Sequence, residues 1–176
     1  MTVDIPDRPI PESYWVIPGR LLAGEYPGSF DPETARDRID TFLRAGFDIF
    51  INLTLVGELE PYEVILHKRA AVYGMAADHI RFPIRDRGLP ARQDMAAILD
   101  TLDQSLASGR KVYVHCWGGV GRTGTTVGCY LRRHGHTGQA AIGQLVDWWQ
   151  GVPKHTSYVR SPETDEQVQY ILDWTE

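Results

Sequence analysis

A ten-residue segment in the second half of the chain combines a cysteine, several glycines and an arginine. Residues 115–124 read His-Cys-Trp-Gly-Gly-Val-Gly-Arg-Thr-Gly and directly follow the largely apolar run 111–114. A glycine-rich turn at a helix start directs backbone N–H groups at an anion, which favours a bound phosphate and the thiolate form of Cys116. Arg122 adds a planar guanidinium that matches two phosphate oxygens. The segment therefore predicts phosphoryl transfer to sulfur.

Other readings of this glycine-rich segment remain open at this point. Its second half, 119–124, matches the dinucleotide pattern G-x-G-x-x-G, but too little chain follows it for the remaining strands of such a fold. A nucleotide triphosphatase loop needs a lysine after the last glycine, whereas Thr125 follows Gly124. A purely structural turn around a buried cysteine is the third alternative.

Three segments carry a resemblance to a known superfamily. Residues 115–124 resemble the signature loop of the cysteine-dependent protein tyrosine and dual-specificity phosphatases. Residues 82–90, Phe-Pro-Ile-Arg-Asp-Arg-Gly-Leu-Pro, resemble the general-acid loop of these enzymes, with the acid at Asp86. Residues 161–167, Ser-Pro-Glu-Thr-Asp-Glu-Gln, are similar to a C-terminal loop that helps to position water in this superfamily. The resemblance spans roughly residues 80–170.

The resemblance and the side-chain chemistry together predict a set of catalytic roles. Cys116 is the nucleophile, Asp86 protonates the leaving group and then activates water, and Thr123 donates its hydroxyl to the sulfur. Arg122 and the loop amides stabilise the transferred phosphate. The predicted substrate-binding residues are Trp117, Gly118, Gly119, Val120, Gly121 and Arg122. This mechanism needs no metal and no other cofactor, so none is predicted.

Further positions receive weaker assignments. The resemblance implies that His115 orients the loop through backbone contacts, and that Glu163 and Gln167 support the site from the C-terminal loop. Two departures from the family pattern are Arg85, where proline often precedes the acid, and Glu163, where tyrosine-specific members carry a water-orienting glutamine. In the 53–62 region, Glu58 and Tyr62 occupy positions where relatives contact substrate. Cys129, about two helical turns beyond the loop, is predicted to be a core residue.

Alternating short apolar runs and helical patterns predict an α/β fold. The expected architecture is a central, mostly parallel sheet of about four to five strands with helices on both faces, similar to that of a dual-specificity phosphatase. The whole chain, 1–176, is expected to form one phosphatase domain, with residues 1–20 as an extended N-terminal arm. The signature segment follows the strand predicted at 111–115 and opens the helix predicted at 122–134.

Composition limits the partners and the location that we expect. A formal charge of −5 without a long basic cluster speaks against nucleic acid, and the longest apolar runs are too short to cross a membrane. Two cysteines and the absence of a signal-peptide pattern favour the cytoplasm. The expected partner is a phosphorylated protein or a small phosphate ester.

The sequence thus favours a metal-independent phosphatase that acts through a phosphocysteine, chiefly on protein phosphotyrosine and also on phosphoserine or phosphothreonine. An inositol-phosphate or phosphoinositide phosphatase ranks second, because the loop contains no lysine to meet extra phosphates. A phospho-binding pseudoenzyme and a sulfur-transfer protein are the remaining alternatives.

Overall fold

The short apolar runs of the sequence pair into one five-stranded sheet in the computed structural model, which describes residues 5–176. The strands are Ser13–Ile17 (β1), Leu21–Gly24 (β2), Ile49–Asn52 (β3), Asp78–Arg81 (β4) and Val112–His115 (β5). Their spatial order is β1-β2-β5-β3-β4. β1 is antiparallel to β2, and all other neighbours are parallel. The expected mostly parallel sheet is therefore confirmed.

Within residues 5–176, six helices and one 3₁₀ turn surround the sheet. The elements are Pro32–Arg44 (α1), Glu63–Val72 (α2), Arg92–Ala107 (α3), Gly121–Arg133 (α4), Gly138–Gln150 (α5), Asp165–Leu172 (α6) and the 3₁₀ turn Pro153–Thr156. Side-chain caps begin three of the helices: Asp31, Thr137 and Thr164 accept hydrogen bonds from backbone N–H groups of the first turn. No helix in residues 5–176 has the length and apolarity needed to span a bilayer.

The strands bury alternate side chains on opposite faces of the sheet, as the period of two requires. Val112 and Val114 of β5 belong to a core that α3, α4, α5 and α6 cover, whereas Tyr113 belongs to a second core that α1 and α2 cover. In β3, likewise, Ile49 and Ile51 belong to the first core and Phe50 belongs to the second. Helices thus cover both faces, as predicted.

The N-terminal segment differs from the expected arm. Residues 1–4 of that predicted arm lie outside the described residues, and residues 13–17 form β1, an edge strand of the sheet. The reason is its apolar alternation, because Tyr14 packs into one core and Trp15 into the other. Pro6 also anchors the segment, since its carbonyl accepts a hydrogen bond from the indole of Trp15 at 2.8 Å.

Parallel pairing brings three loops to one edge of the sheet. β2, β3 and β5 run in the same direction and end in register, with Gly24 and Asn52 both paired with His115. The segments that follow these strands, 25–31, 53–62 and 116–120, therefore meet at the carboxyl ends of the strands. Open α/β sheets bind their ligands at this edge.

Candidate active site

The loop between β5 and α4 folds tightly against β2. Gly119 adopts a φ of +75°, which favours glycine, and a Cβ at this position would lie 2.5 Å from the carbonyl carbon of Gly24. Only glycine fits this close approach. Cys116 follows the last residue of β5, is 2% exposed and stands as a free thiol.

The carbonyl groups of this loop are bonded to donors from other parts of the chain. The bonds run from Tyr26 N to Trp117 O at 2.8 Å, from Lys154 Nζ to Gly118 O at 3.3 Å, and from Ser161 Oγ to Val120 O at 2.7 Å. Among the described residues, the backbone N–H groups of 117–120 have no protein acceptor. The loop therefore has three of its carbonyls bonded and its donors available, as an anion-binding turn requires.

A pocket of about 260 Å³ lies over this loop and contains the predicted chemical groups. Cys116 and Arg122 line it together with Asp86 and Glu163, and Trp117, 57% exposed, stands at its rim. The loop residues Gly118, Val120 and Gly121 also line this pocket. Gly119 instead contacts Gly24 beneath it.

Arg122 lies at the first turn of α4 and is buried against a carboxylate from a distant loop. Its Nη2 and Nη1 donate to the two carboxylate oxygens of Glu58 at 2.7 and 2.9 Å. Burial alone would raise the pKa of Glu58, but hydrogen bonds from Arg122 and from Leu55 N hold that pKa below its ordinary value. The two-point fork predicted for phosphate is thus occupied by Glu58 in this structure.

The remaining contacts of Arg122 fix the plane of its guanidinium. Nη1 donates to the carbonyl of Ile84 at 3.0 Å, and Nη2 donates to Oδ1 of Asp86 at 3.1 Å. The fifth donor, Nε, is buried and has no acceptor among the described residues. A buried donor without a partner is costly, so an acceptor that reached Nε would stabilise this side chain.

The predicted general acid stands on an exposed loop. The side chain of Asp86 is 56% exposed, and the next residue, Arg87, has a positive φ of 58°. Two contacts tether this loop to the start of α6: Arg87 pairs with Glu163 at 3.2 Å, and Gln167 Nε2 donates to Gly88 O at 3.3 Å. Asp86 therefore reaches Arg122 from a segment that few contacts hold.

Gln167 and Glu163 occupy different positions relative to the pocket. Gln167 is buried, and its Oε1 accepts from Glu163 N and Thr164 N in a capping box, so its amide group is engaged by the protein. Both side chains lie near Gly121, where a Cβ would be 3.2 Å from the carboxylate of Glu163 and 3.0 Å from the amide of Gln167, but only Glu163 lines the pocket. The structure thus brings Glu163 to the pocket, whereas Gln167 holds the α6 cap.

A buried histidine supports the loop from below. Nδ1 of His115 lies 3.1 Å from the carbonyl of Cys116, and Nε2 lies 2.6 Å from the hydroxyl of Tyr62. Burial lowers the pKa of His115 to about 3, so the ring is neutral at physiological pH. With the proton on Nδ1, the ring donates to Cys116 O and accepts from Tyr62. This is the backbone contact expected for His115.

Three positions differ from the sequence-based roles. The hydroxyl of Thr123 is directed at the carbonyl of Gly24, 3.5 Å away, rather than at the sulfur, because the close packing of the loop on β2 brings that acceptor near. Tyr62 is 1% exposed, so it cannot contact substrate as expected. Glu58 binds Arg122 instead of projecting towards a ligand.

Lys154 and Tyr158 also line the pocket, although the sequence does not predict them as site residues. Both lie between α5 and α6, in and just after the 3₁₀ turn, and no motif marks them. Lys154 Nζ also pairs with the carboxylate of Glu25.

Cys129 is buried and free, and burial raises the pKa of its thiol far above the ordinary value, so it has the character of a core residue.

Comparison with known proteins places this geometry in a family. The profile of a family described as "Swiss Army Knife protein, DSP-PTPase phosphatase domain" (PTP-SAK) matches residues 11–167. The chain belongs to this family. The match covers the whole sheet, all of the pocket and both loops that carry Cys116 and Asp86. Among the described residues, no group of three or more metal-ligating side chains is close enough to hold a metal ion.

Curated relatives of this PTP-SAK domain match it over about half of its length. An uncharacterized protein of Methanocaldococcus jannaschii is 30% identical over 108 residues, which are 58% of this chain and 63% of that protein. Cyclin-dependent kinase inhibitor 3 of Sus scrofa is 34% identical over 107 residues, which are 57% of this chain and 47% of that protein. The match therefore spans less than two thirds of each of these relatives.

A solved structure shares the fold at low sequence identity. A mutant form of Tk-PTP superimposes with a TM-score of 0.69 and 23% identity, over 92% of this chain and 93% of that one. At this level of identity the likeness supports the architecture. The predicted dual-specificity-phosphatase type of α/β fold is confirmed.

Proposed function

We propose that this domain is a metal-independent phosphatase that hydrolyses phosphate monoesters through a phosphocysteine intermediate, with protein phosphotyrosine as its main substrate. The observation that carries the proposal is the pairing of two features in one pocket. Cys116 and Arg122 both line it, and the loop N–H groups of 117–120 and Arg122 Nε have no acceptor among the described residues. A thiolate nucleophile and a ring of anion-binding donors are the two parts that phosphoryl transfer to sulfur needs.

In the first step, the sulfur of Cys116 attacks phosphorus in line with the leaving oxygen. The S–P bond forms as the P–O bond breaks, and Asp86 transfers its proton to the departing oxygen. The three equatorial oxygens accept hydrogen bonds from the loop amides and Arg122. Asp86 must leave Nη2 of Arg122 for this step, because the phosphate needs that donor, and its exposed loop permits the movement.

In the second step, water attacks the phosphocysteine and the S–P bond breaks. Asp86, now a carboxylate, accepts a proton from this water, and inorganic phosphate and the Cys116 thiolate are released. Glu163 also lines the pocket, where its carboxylate lies near Gly121 and pairs with Arg87 beside the acid, and we assign it a supporting role in this step. We assign Thr123 no direct contact with the sulfur, since its hydroxyl is directed at Gly24.

The charges of the pocket favour a substrate with one phosphate. Arg122 and Lys154 are the cations that line it within residues 5–176, and each already pairs with a carboxylate, Glu58 and Glu25 respectively. A polyphosphorylated inositol would bring further phosphates without further free cations to bind them. The aromatic rim of Trp117 and Tyr158 instead suits the ring of a phosphotyrosine.

The test combines a nucleophile variant with a substrate panel. Cys116→Ser should lower the turnover of an aryl phosphate below about 1% of the wild-type rate while phosphate-ester binding remains, because the donors of the loop are unchanged. Activity should survive a strong chelator and disappear on thiol alkylation. Phosphotyrosine peptides should exceed phosphoserine peptides and inositol phosphates in kcat/KM. Substantial turnover by Cys116→Ser, or rescue of a chelated enzyme by magnesium, would contradict the mechanism. The need for a reduced Cys116 fits the cytoplasmic location that we expect.

A further inference from the structure

A second cleft adjoins the catalytic pocket and shares one wall with it. This flanking cleft has a volume of about 210 Å³, and Trp117 and Lys154 border both spaces. Its other walls come from the segment after β2 and from the segment after β3. The same carboxyl edge of the sheet therefore carries two connected depressions, of which only one contains Cys116.

Aromatic and apolar side chains form part of the walls of the flanking cleft. Tyr26 and Leu59 form its sides, and the ring of Phe30 lies at its mouth. Phe30 is 82% exposed, so its packing within this chain does not explain why a large apolar side chain stands there. Exposed aromatic groups next to a reactive pocket are typical of surfaces that bind a partner.

The charges in the flanking cleft cancel. Glu25 accepts from Arg38 at 2.8 Å and also pairs with Lys154, while Glu60 adds a second carboxylate. Two cations thus face two anions, and no excess positive field is present to bind another phosphate. An uncharged side chain that buries apolar surface is the ligand that this balance favours.

We propose that the flanking cleft binds the side chain of the residue next to the phosphorylated residue of a protein substrate, and that it selects large apolar side chains at that position. The inference rests on the proposed function, since it requires a polypeptide substrate. Continuity supports it: Trp117 stands between the cleft and the pocket, and neighbouring Cα atoms in a peptide are only about 3.8 Å apart. A peptide with its phosphate over Cys116 thus presents an adjacent side chain to Phe30.

The experiment compares phosphotyrosine peptides that differ only in one neighbour of the phosphotyrosine, which is leucine, phenylalanine, glycine or aspartate. Each side of the phosphotyrosine is varied in turn, and a small aryl phosphate without neighbours serves as the reference substrate. The enzymes are wild type, Phe30→Ser and the control Val72→Ser, which changes an exposed apolar residue of α2 that lines neither space. Thermal unfolding of all three proteins checks that they fold alike.

Wild type and Val72→Ser should prefer leucine or phenylalanine over glycine by about 10-fold in kcat/KM at one of the two positions, the scale expected for burying one large apolar side chain. Phe30→Ser should reduce this preference to about twofold and leave the aryl phosphate rate unchanged. Equal rates for all neighbours, a preference for aspartate, or a preference that Phe30→Ser retains would each overturn the proposed role of the flanking cleft. None of these outcomes would contradict the proposed phosphatase activity. Turnover of the aryl phosphate without turnover of any peptide would overturn both the flanking-cleft proposal and the assignment of protein phosphotyrosine as the main substrate.

Discussion

The anion-binding loop, residues 116–122, and the acid loop, residues 82–90, differ in how firmly the rest of the domain holds them. Residues 116–122 are held by many contacts: Gly119 packs on β2, the carbonyls of Trp117, Gly118 and Val120 have donors, and Arg122 is only 2% exposed. The acid loop lies at the surface, with Asp86 more than half exposed and two contacts to the start of α6. The loop that must bind a phosphate of fixed shape is rigid, whereas the loop that must approach and withdraw is tethered lightly.

This difference follows from what each region does in the proposed reaction. Electrostatic stabilisation is strongest when the donors need no rearrangement, so a preorganised loop benefits from every support. A general acid must instead leave Arg122, meet the leaving oxygen and later meet water. Asp86 is therefore expected to act from a segment of low local stability. Arg122 joins the two regions, because it contacts Glu58, Ile84 and Asp86.

The largest effect is expected when only the acid loop is disabled. Asp86→Asn removes the proton donor, so turnover of phosphotyrosine peptides should fall by about 10²–10⁴-fold, and turnover of aryl phosphates with very acidic leaving groups should fall clearly less. Binding of phosphate esters should persist or tighten, since a charged competitor for Nη2 of Arg122 is removed. Steady-state kinetics with a leaving-group series measure this.

The matched control is Asp94→Asn, which removes a carboxylate from the exposed first turn of α3. Its kinetics should resemble those of wild type. Asp78 is no substitute acid, since it pairs with Arg110 at the amino end of β4, away from the carboxyl edge that carries the pocket. Equal losses on good and poor leaving groups in Asp86→Asn would remove Asp86 from the role of acid.

The next effect is expected at the residue that joins the two regions. Arg122→Lys keeps the charge but loses the planar fork and the Nε donor, and we expect a loss of about 2–4 kcal/mol in transition-state stabilisation. The loss should appear as lower kcat/KM for good and poor leaving groups alike, unlike that of Asp86→Asn. Arg160→Lys, at an exposed arginine paired with Asp165, is the control. Wild-type kinetics for Arg122→Lys would contradict the geometry.

A smaller effect is expected when the support of Arg122 is weakened. Glu58→Gln replaces a two-oxygen acceptor of the guanidinium with one oxygen and an amide, and we expect about a 10-fold fall in kcat for an aryl phosphate, the scale of one charge-assisted hydrogen bond. Glu60→Gln, in the same loop but directed to the flanking cleft, should leave this rate unchanged. A fall of similar size in both variants would show a general effect of loop charge.

The stability that the Arg122–Glu58 ion pair contributes should decrease only at acidic pH. The pKa of Glu58 is held below its ordinary value, so the pair contributes fully to stability at neutral pH. That contribution is lost only as the pH falls below about 4.3, the ordinary value for glutamate, and through the lower folded value. The ion pair should therefore not shape the rate profile near neutrality.

The smallest effect concerns the underside of the rigid loop. Since burial lowers the pKa of His115 to about 3, the unfolded chain binds this proton more readily, and stability should fall as the pH falls from about 6.5 towards 3. His115→Asn should reduce the slope of unfolding free energy against pH by up to about 1.4 kcal/mol per pH unit in that window. Urea unfolding at pH 5 to 7 measures the slope. An unchanged slope would show that His115 is not held neutral by the fold.

The sequence indicated the anion-binding loop itself but not the distant residues that support it, for a physical reason. The anion-binding loop is one contiguous segment whose glycines, cysteine and arginine act on the same ligand, so spacing alone reveals it. Glu58 supports Arg122 from 64 residues away, and Lys154 reaches Gly118 over 36 residues, so the pattern of neither segment indicates these contacts. Only the fold brings them together.

Contacts between residues far apart in sequence also explain where the observed fold and site differ from the predicted ones. The period of apolar residues predicted the sheet and the helices, because each strand and helix shows its own buried faces. Residues 13–17 were predicted as part of an arm, since the prolines before them obscured a short edge strand. The burial of Tyr62 and the direction of the Thr123 hydroxyl depend on tertiary neighbours, His115 and Gly24, that local sequence does not identify.

The covalent bond that we propose between Cys116 and phosphorus is tested most directly by trapping the phosphocysteine intermediate. Wild-type protein mixed with an activated aryl phosphate is quenched in acid within the first turnover, and the peptide carrying Cys116 is analysed by mass spectrometry. We predict one phosphoryl group on Cys116, formed at the rate at which the phenol appears, and none in Cys116→Ser. Phenol release in a full first turnover without phosphate on Cys116 would show that the reaction does not pass through a phosphocysteine.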